Sequence, residues 1–145
     1  MVSLILLDVN VLVSAHRASH VHHIASTAFL KKAHEGREVI GLCDIAINGL
    51  LRLATHPKIF DSPSTLDQAF SFLEDIFAWP NVIRIAPGQD HWTIYEDLCR
   101  KSGAVGAMVT DAYLAALALE LGCAMATFDK DFDRFPGLRI VRPRA

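Results

Sequence analysis

Four acidic residues stand where apolar sequence gives way to polar. Asp8 follows Leu4-Ile5-Leu6-Leu7, and Asp44 comes directly after Val39-Ile40-Gly41-Leu42-Cys43. Asp111 heads Asp-Ala-Tyr-Leu-Ala-Ala-Leu-Ala-Leu-Glu-Leu, and Asp129 follows Ala124-Met125-Ala126-Thr127-Phe128. Carboxylates so far apart act together only if the fold converges them, and like charges gathered in a partly dry place call for a neutralising cation. Oxygen-only ligands suit Mg²⁺ or Mn²⁺ better than softer metals. An ion held in that way orients and activates a water and offsets charge on phosphoryl oxygens, which is the chemistry of phosphodiester hydrolysis. Each acid also has a plainer role open to it. Asp8 can begin a loop or helix turn, Asp44 can cap a helix, Asp111 can complement a helix dipole, and Asp129 can belong to a solvated acidic turn.

The elements that must position these acids follow from the apolar pattern. Short runs at Leu4–Leu7, Val39–Leu42, Val82–Ile85, Ala124–Phe128 and Leu138–Val141 predict strands. Between them helices are expected at about 22–35, 44–55, from 62–64 to Trp79, 87–101 and 111–121, the last apolar nearly all round and therefore buried. The order β-α-β-α-α-β-α-α-β-β predicts an α/β fold, a three-layer α/β/α sandwich with a mostly parallel sheet, in which sites form at the carboxyl ends of strands.

The chain has 145 residues, of which 52% are hydrophobic and 21% charged, and no linker or repeat divides it, so one domain spanning 1–145 is expected. A formal net charge of −2 means that any polyanion is gripped locally rather than by the whole molecule. Mean hydropathy of +0.29 is high, yet charged residues cut the apolar runs before they reach spanning length, and no basic leader precedes the first run. A cytoplasmic protein without a membrane segment is expected. Cys43, Cys99 and Cys123 form no Cys-x-x-Cys pair, and the dense His16, His20, His22 and His23 lack the partner spacing of a zinc site. A surface loop leading into a helix accounts for those histidines.

Leu-Leu-Asp8-Val-Asn10-Val-Leu-Val, Leu-Leu-Arg52-Leu-Ala-Thr-His-Pro57, Val-Thr110-Asp111-Ala-Tyr-Leu-Ala-Ala and Ala-Thr127-Phe-Asp129-Lys-Asp131-Phe, in this order and across the whole chain, resemble a PIN-domain ribonuclease of the VapC toxin type. The resemblance implies a PIN-like fold and an endoribonuclease dependent on Mg²⁺ or Mn²⁺. It also implies a homodimer, neutralised by a VapB-type antitoxin, that cuts by in-line attack of a water to leave 5′-phosphate and 3′-hydroxyl ends. It further implies that Asp8, Asp111 and Asp129 bind the metal, with Asn10 and Thr127 as accompanying polar groups.

One departure stands out. Many members carry Glu where this chain has Gly49, in Asn48-Gly49-Leu50-Leu51-Arg52, and Ala107 replaces an expected Asn. Asp44 lies four residues before Asn48 on the same helix face, which makes Asp44 a fourth candidate catalytic acid and Asn48 a supporting one. The alternative reading is a catalytically weakened PIN domain serving mainly as an RNA- or protein-binding module. Arg134, Arg139, Arg142 and Arg144 form a basic strip free of acids, in which Arg134 and Arg139 are the expected RNA contacts. Arg52 lies near the pocket or pairs with an acid.

Overall fold

Leu4 to Leu7 form the middle strand because an unbroken aliphatic run suits a strand covered on both faces. In the computed structural model of the chain, which describes residues 3–145, this strand is β1 (Ser3–Leu7), with Leu6 and Leu7 fully buried. On its two sides lie β2 (Glu38–Cys43) and β4 (Ala124–Ala126). With β3 (Val82–Ile85) and β5 (Ile140–Val141) they make a five-stranded sheet of order β3-β2-β1-β4-β5 in which every pairing is parallel.

Helices fill the crossovers. α1 (Val9–His16) and α2 (His23–Glu35) lie between β1 and β2, and α3 (Asp44–Ala54) and α4 (Leu66–Phe77) between β2 and β3. α5 (His91–Ser102) and α6 (Ala107–Leu121) lead from β3 to β4, and a 3₁₀ turn (Lys130–Arg134) joins β4 to β5. The chain steps outward from β1 to β3, then returns past β1 to β4. Right-handed crossovers running in opposite directions leave their helices on opposite faces of the sheet. α1 to α4 accordingly pack among themselves and α5 packs on α6, giving the expected three-layer α/β/α arrangement. The reversal falls between β1 and β4, where open α/β sheets offer a crevice at their carboxyl ends.

Element boundaries differ from expectation where the site is built. Val9–His16 is helical, and Asp8 is its N-cap, accepting a hydrogen bond from the Val9 amide at 2.7 Å. Val11 to Ala15 are all buried, so the segment shows no amphipathic period and hides its helix from pattern reading. α6 begins at Ala107, so Asp111 lies one turn inside the helix rather than at its head. β4 ends at Ala126, although the Thr127 amide still donates to the Val141 carbonyl at 3.2 Å. α5 starts at His91 because the Glu120 carboxylate takes the Gly88 and Asp90 amides, at 2.8 and 2.9 Å, and holds the preceding segment as a turn.

Candidate active site

The carboxyl ends of β1 and β4 lie side by side, which brings Asp8 next to Thr127 although 119 residues separate them. Thr127 is fully buried and Asp8 is 6% exposed. The threonine hydroxyl donates to Asp8 Oδ2 at 2.7 Å, accepts from Asn10 Nδ2 at 3.2 Å and accepts from the Asp129 amide at 3.0 Å. One donor and two lone pairs are all a hydroxyl has, so Thr127 is saturated. Asn10 Oδ1 in turn accepts from the Phe128 amide at 3.3 Å. Asp129 caps the 3₁₀ turn, its Oδ1 accepting from the Asp131 amide at 2.8 Å.

Asp111 reaches the same place from α6. Burial, together with the charges of Asp8, Asp129 and Asp131, pushes its carboxyl up to about 6, while the Arg134 guanidinium pulls the other way. Burial also raises Asp8, against the lowering effect of its bonds from Thr127 and Val9, and the Asp129 charge adds to the rise. The Asp129 charge thus opposes ionisation of both Asp8 and Asp111, and the three carboxylates line one open cleft of about 660 Å³. Among the described residues no three acidic, histidine or cysteine side chains are drawn close enough to enclose an ion unaided. A magnesium-like ion asks for less, because it keeps several waters and takes one or two carboxylates plus substrate phosphate. The all-oxygen donor set and the repulsion among these acids fit such a cation.

The structure does not bring Asp44 or Asn48 to this cleft. They do share a helix face, but that face lines a separate groove between α3 and α4, and Asp44 is paired there with Arg84 of β3. The neighbouring face of α3, about 100° round the helix, carries Gly49 against α1 and presents Arg52 and Leu53 to the cleft. A Cβ on Gly49 would come within 2.8 Å of a Val9 methyl, so Val9 occupies the space a side chain there would need.

The basic strip divides as well. Arg134 lies by the acids, bound to Met108 Sδ at 2.9 Å and to Asp131 at 3.4 Å. Arg139 precedes β5 at the amino end of the sheet, where it donates to the Gly122 carbonyl at 3.0 Å, on the edge opposite the cleft. Arg142 braces the site from behind, donating to the Thr127 carbonyl at 3.2 Å and to Asp133 at 3.1 Å.

Pattern reading passed over His20, Ile59 and Phe60, which line the cleft from the α1–α2 and α3–α4 connections. Residues in connections carry no periodicity, so only the density of histidines and of apolar residues around Pro57 offered a signal.

The PIN-domain family model matches residues 5–138. Ribonuclease VapC25 of Mycobacterium tuberculosis is 35% identical over 138 residues, which cover 95% of this chain and 97% of that protein. Ribonuclease VapC31 of the same species is 36% identical over 138 residues with the same coverage. Among solved structures, VapBC2 from Rickettsia felis bound to a DNA fragment from its promoter matches with a TM-score of 0.74 over 97% of this chain and 98% of that one. At 17% identity that likeness is one of fold.

Proposed function

The chain belongs to the PIN-domain family, among its VapC ribonucleases, and from that premise we propose that Asp8, Asp111 and Asp129 carry out RNA hydrolysis on a bound Mg²⁺ or Mn²⁺. The protein is on this reading the endoribonuclease toxin of a toxin–antitoxin pair, neutralised by a VapB-type antitoxin and working as a homodimer. The carrying observation is the convergence of Asp8, Asp111 and Asp129 on one cleft at the switch point of the sheet, where burial and neighbouring acids raise the carboxyls of Asp8 and Asp111.

When bound, the divalent ion lowers the pKa of a water and offsets charge on the phosphoryl oxygens. The chain's own groups do the rest. Asp8 is clamped by the Val9 amide and the Thr127 hydroxyl, so its free lone pairs keep one direction. Asp129 is fixed through its own amide and that of Asp131. Asp111, whose carboxyl burial and the neighbouring acids push up to about 6 in the ion-free chain, faces the same cleft from α6 and would complete the oxygen donor set for the ion. Asp44 and Asn48 are left out of the catalytic set because their face of α3 is turned elsewhere.

Cleavage of a labelled RNA by purified protein tests the reading. Activity is expected to require Mg²⁺ or Mn²⁺ and to fall by at least roughly two orders of magnitude in folded Asp8→Asn or Asp111→Asn protein. Cleavage that persists in EDTA or survives both substitutions overturns it. RNA binding with no metal-dependent cleavage by the unaltered chain would instead establish the binding-module alternative that Gly49 and Ala107 suggest.

A further inference from the structure

The cleft has a second kind of lining. Besides the carboxylates it is walled by Arg52 from α3, by Ile59 and Phe60 from the α3–α4 connection and by His20 from the α1–α2 connection. Three carboxylates with one divalent ion still sum to a negative charge, so an RNA backbone entering the cleft needs a cation of the protein's own. Arg52 is exposed and, among the described residues, forms no ion pair, whereas Arg134 and Arg142 are each committed to an acid. Its planar fork matches two phosphate oxygens.

The apolar part of this wall is built in advance. The Arg17 guanidinium sits 4.3 Å from the centre of the Phe60 ring and is itself held by the Ser62 carbonyl at 2.7 Å and the Ser64 hydroxyl at 3.0 Å. Arg17 does not line the cleft, so it fixes the ring from outside. Ile59 is 53% exposed, an aliphatic side chain left beside that ring in contact with solvent. His20 Nδ1 accepts from the His22 amide at 3.0 Å, which leaves the N–H on Nε2. A free guanidinium, a fixed aromatic ring and one N–H donor in a single cleft match the parts of a nucleotide.

We propose that His20, Arg52, Ile59 and Phe60 form a subsite for one unpaired nucleotide flanking the scissile phosphate, with Arg52 on the adjoining phosphate, the base against Phe60 and Ile59, and His20 Nε2–H donating to its edge. The subsite rests on the ribonuclease reading and specifies its substrate as single-stranded RNA, because a base in a duplex has both faces covered by its neighbours.

Binding is measured in the Asp8→Asn protein, with Mg²⁺ present, by fluorescence anisotropy of a labelled single-stranded oligoribonucleotide of mixed sequence. Arg52→Ala is expected to weaken binding about tenfold and to reduce the slope against log salt by about one. Phe60→Leu, which keeps an apolar side chain in the core, is expected to weaken it at least about fivefold. A duplex of the same sequence should compete less well than the single strand. In the active protein Arg52→Ala should raise KM more than it lowers kcat.

Unchanged affinity in both variants overturns the proposal, and so does a duplex that competes as well as the single strand. Arg52→Ala that keeps RNA affinity but loses the antitoxin assigns the wall to a protein contact and overturns it too. Losses in these variants alongside an unaltered chain that cleaves no RNA would uphold the subsite while refuting the ribonuclease reading.

Discussion

Thr127 has no exposed surface, and its hydroxyl is shared among Asp8, Asn10 and Asp129. Thr127→Val keeps the shape and removes every one of those bonds. Cleavage or metal affinity is expected to drop by about 10- to 100-fold, as for other groups that orient ligands, and Thr127→Ser should restore most of it. Asp111 gives a prediction about pH. Its folded pKa of about 6 lies above the ordinary 3.8, so the folded chain binds the proton more tightly than the unfolded one. Without divalent ions its contribution to stability therefore falls as pH rises from about 4 to about 6, and above that window the charged form destabilises the fold. Asp111→Asn should stabilise the ion-free protein at neutral pH by on the order of 1 kcal/mol, after discounting for solvent screening, and by nothing near pH 3. Denaturant melts at the two pH values check this. Apolar runs ending at Asp8 and Asp129 and one beginning at Asp111 marked these acids in the sequence, Asn10 and Thr127 entered through the family resemblance, and the structure gathers all five around the carboxyl ends of β1 and β4. Asp44, Asn48 and Arg139 were misplaced because spacing shows which residues share a side of an element but not what that side faces.

Between elements, the contact of α1 with α3 decides the shape of the cleft. Gly49 lets Val9 lie against the α3 backbone, and Val9 itself lines the cleft. Alanine ordinarily gains about 1 kcal/mol over glycine inside a helix, but valine is stiff at χ1 and cannot turn its methyls aside. Gly49→Ala should therefore destabilise the protein despite the better helix former, and Gly49→Glu should cost about 1–3 kcal/mol through overpacking. Adding Val9→Ala to Gly49→Glu should recover most of that loss, and a double-mutant cycle of thermal melts measures the coupling. The sheet and five of the six helices could be read from alternating short and long apolar segments, whose lengths and caps are local properties. α1 could not, because a helix buried from Val11 to Ala15 has no polar side to reveal its period. The expected start of α6 lies four residues late because Thr110 has the side chain of an N-cap, whereas the helix begins at Ala107 after Gly106, which supplies only its backbone.

For the whole molecule, a net charge of −2 and no described helix long and apolar enough to cross a membrane leave recognition to local features. An ion that binds only the folded chain stabilises it by about 2.7 kcal/mol at a hundred times its Kd. Mg²⁺ or Mn²⁺ should thus raise Tm by several degrees, at about 3 °C per kcal/mol for a chain this long, and Asp111→Asn should abolish most of the rise. A calorimetric scan with and without the ion distinguishes this from a general salt effect, for which Na⁺ at equal ionic strength is the control. The hydrogen bond from Thr127 to Asp8 has a further consequence, for synthesis. It joins residues 119 apart, and β4 beside β1 is laid down only after the long crossover through α5 and α6. A chain still emerging from the ribosome therefore carries Asp8 without the threonine that clamps it, until α5, α6 and β4 have followed. A message broken before the codon for Thr127 encodes Asp8 without its clamp, so a fragment ending there is expected to cleave no RNA, which cleavage assays on a chain truncated after Ala126 check.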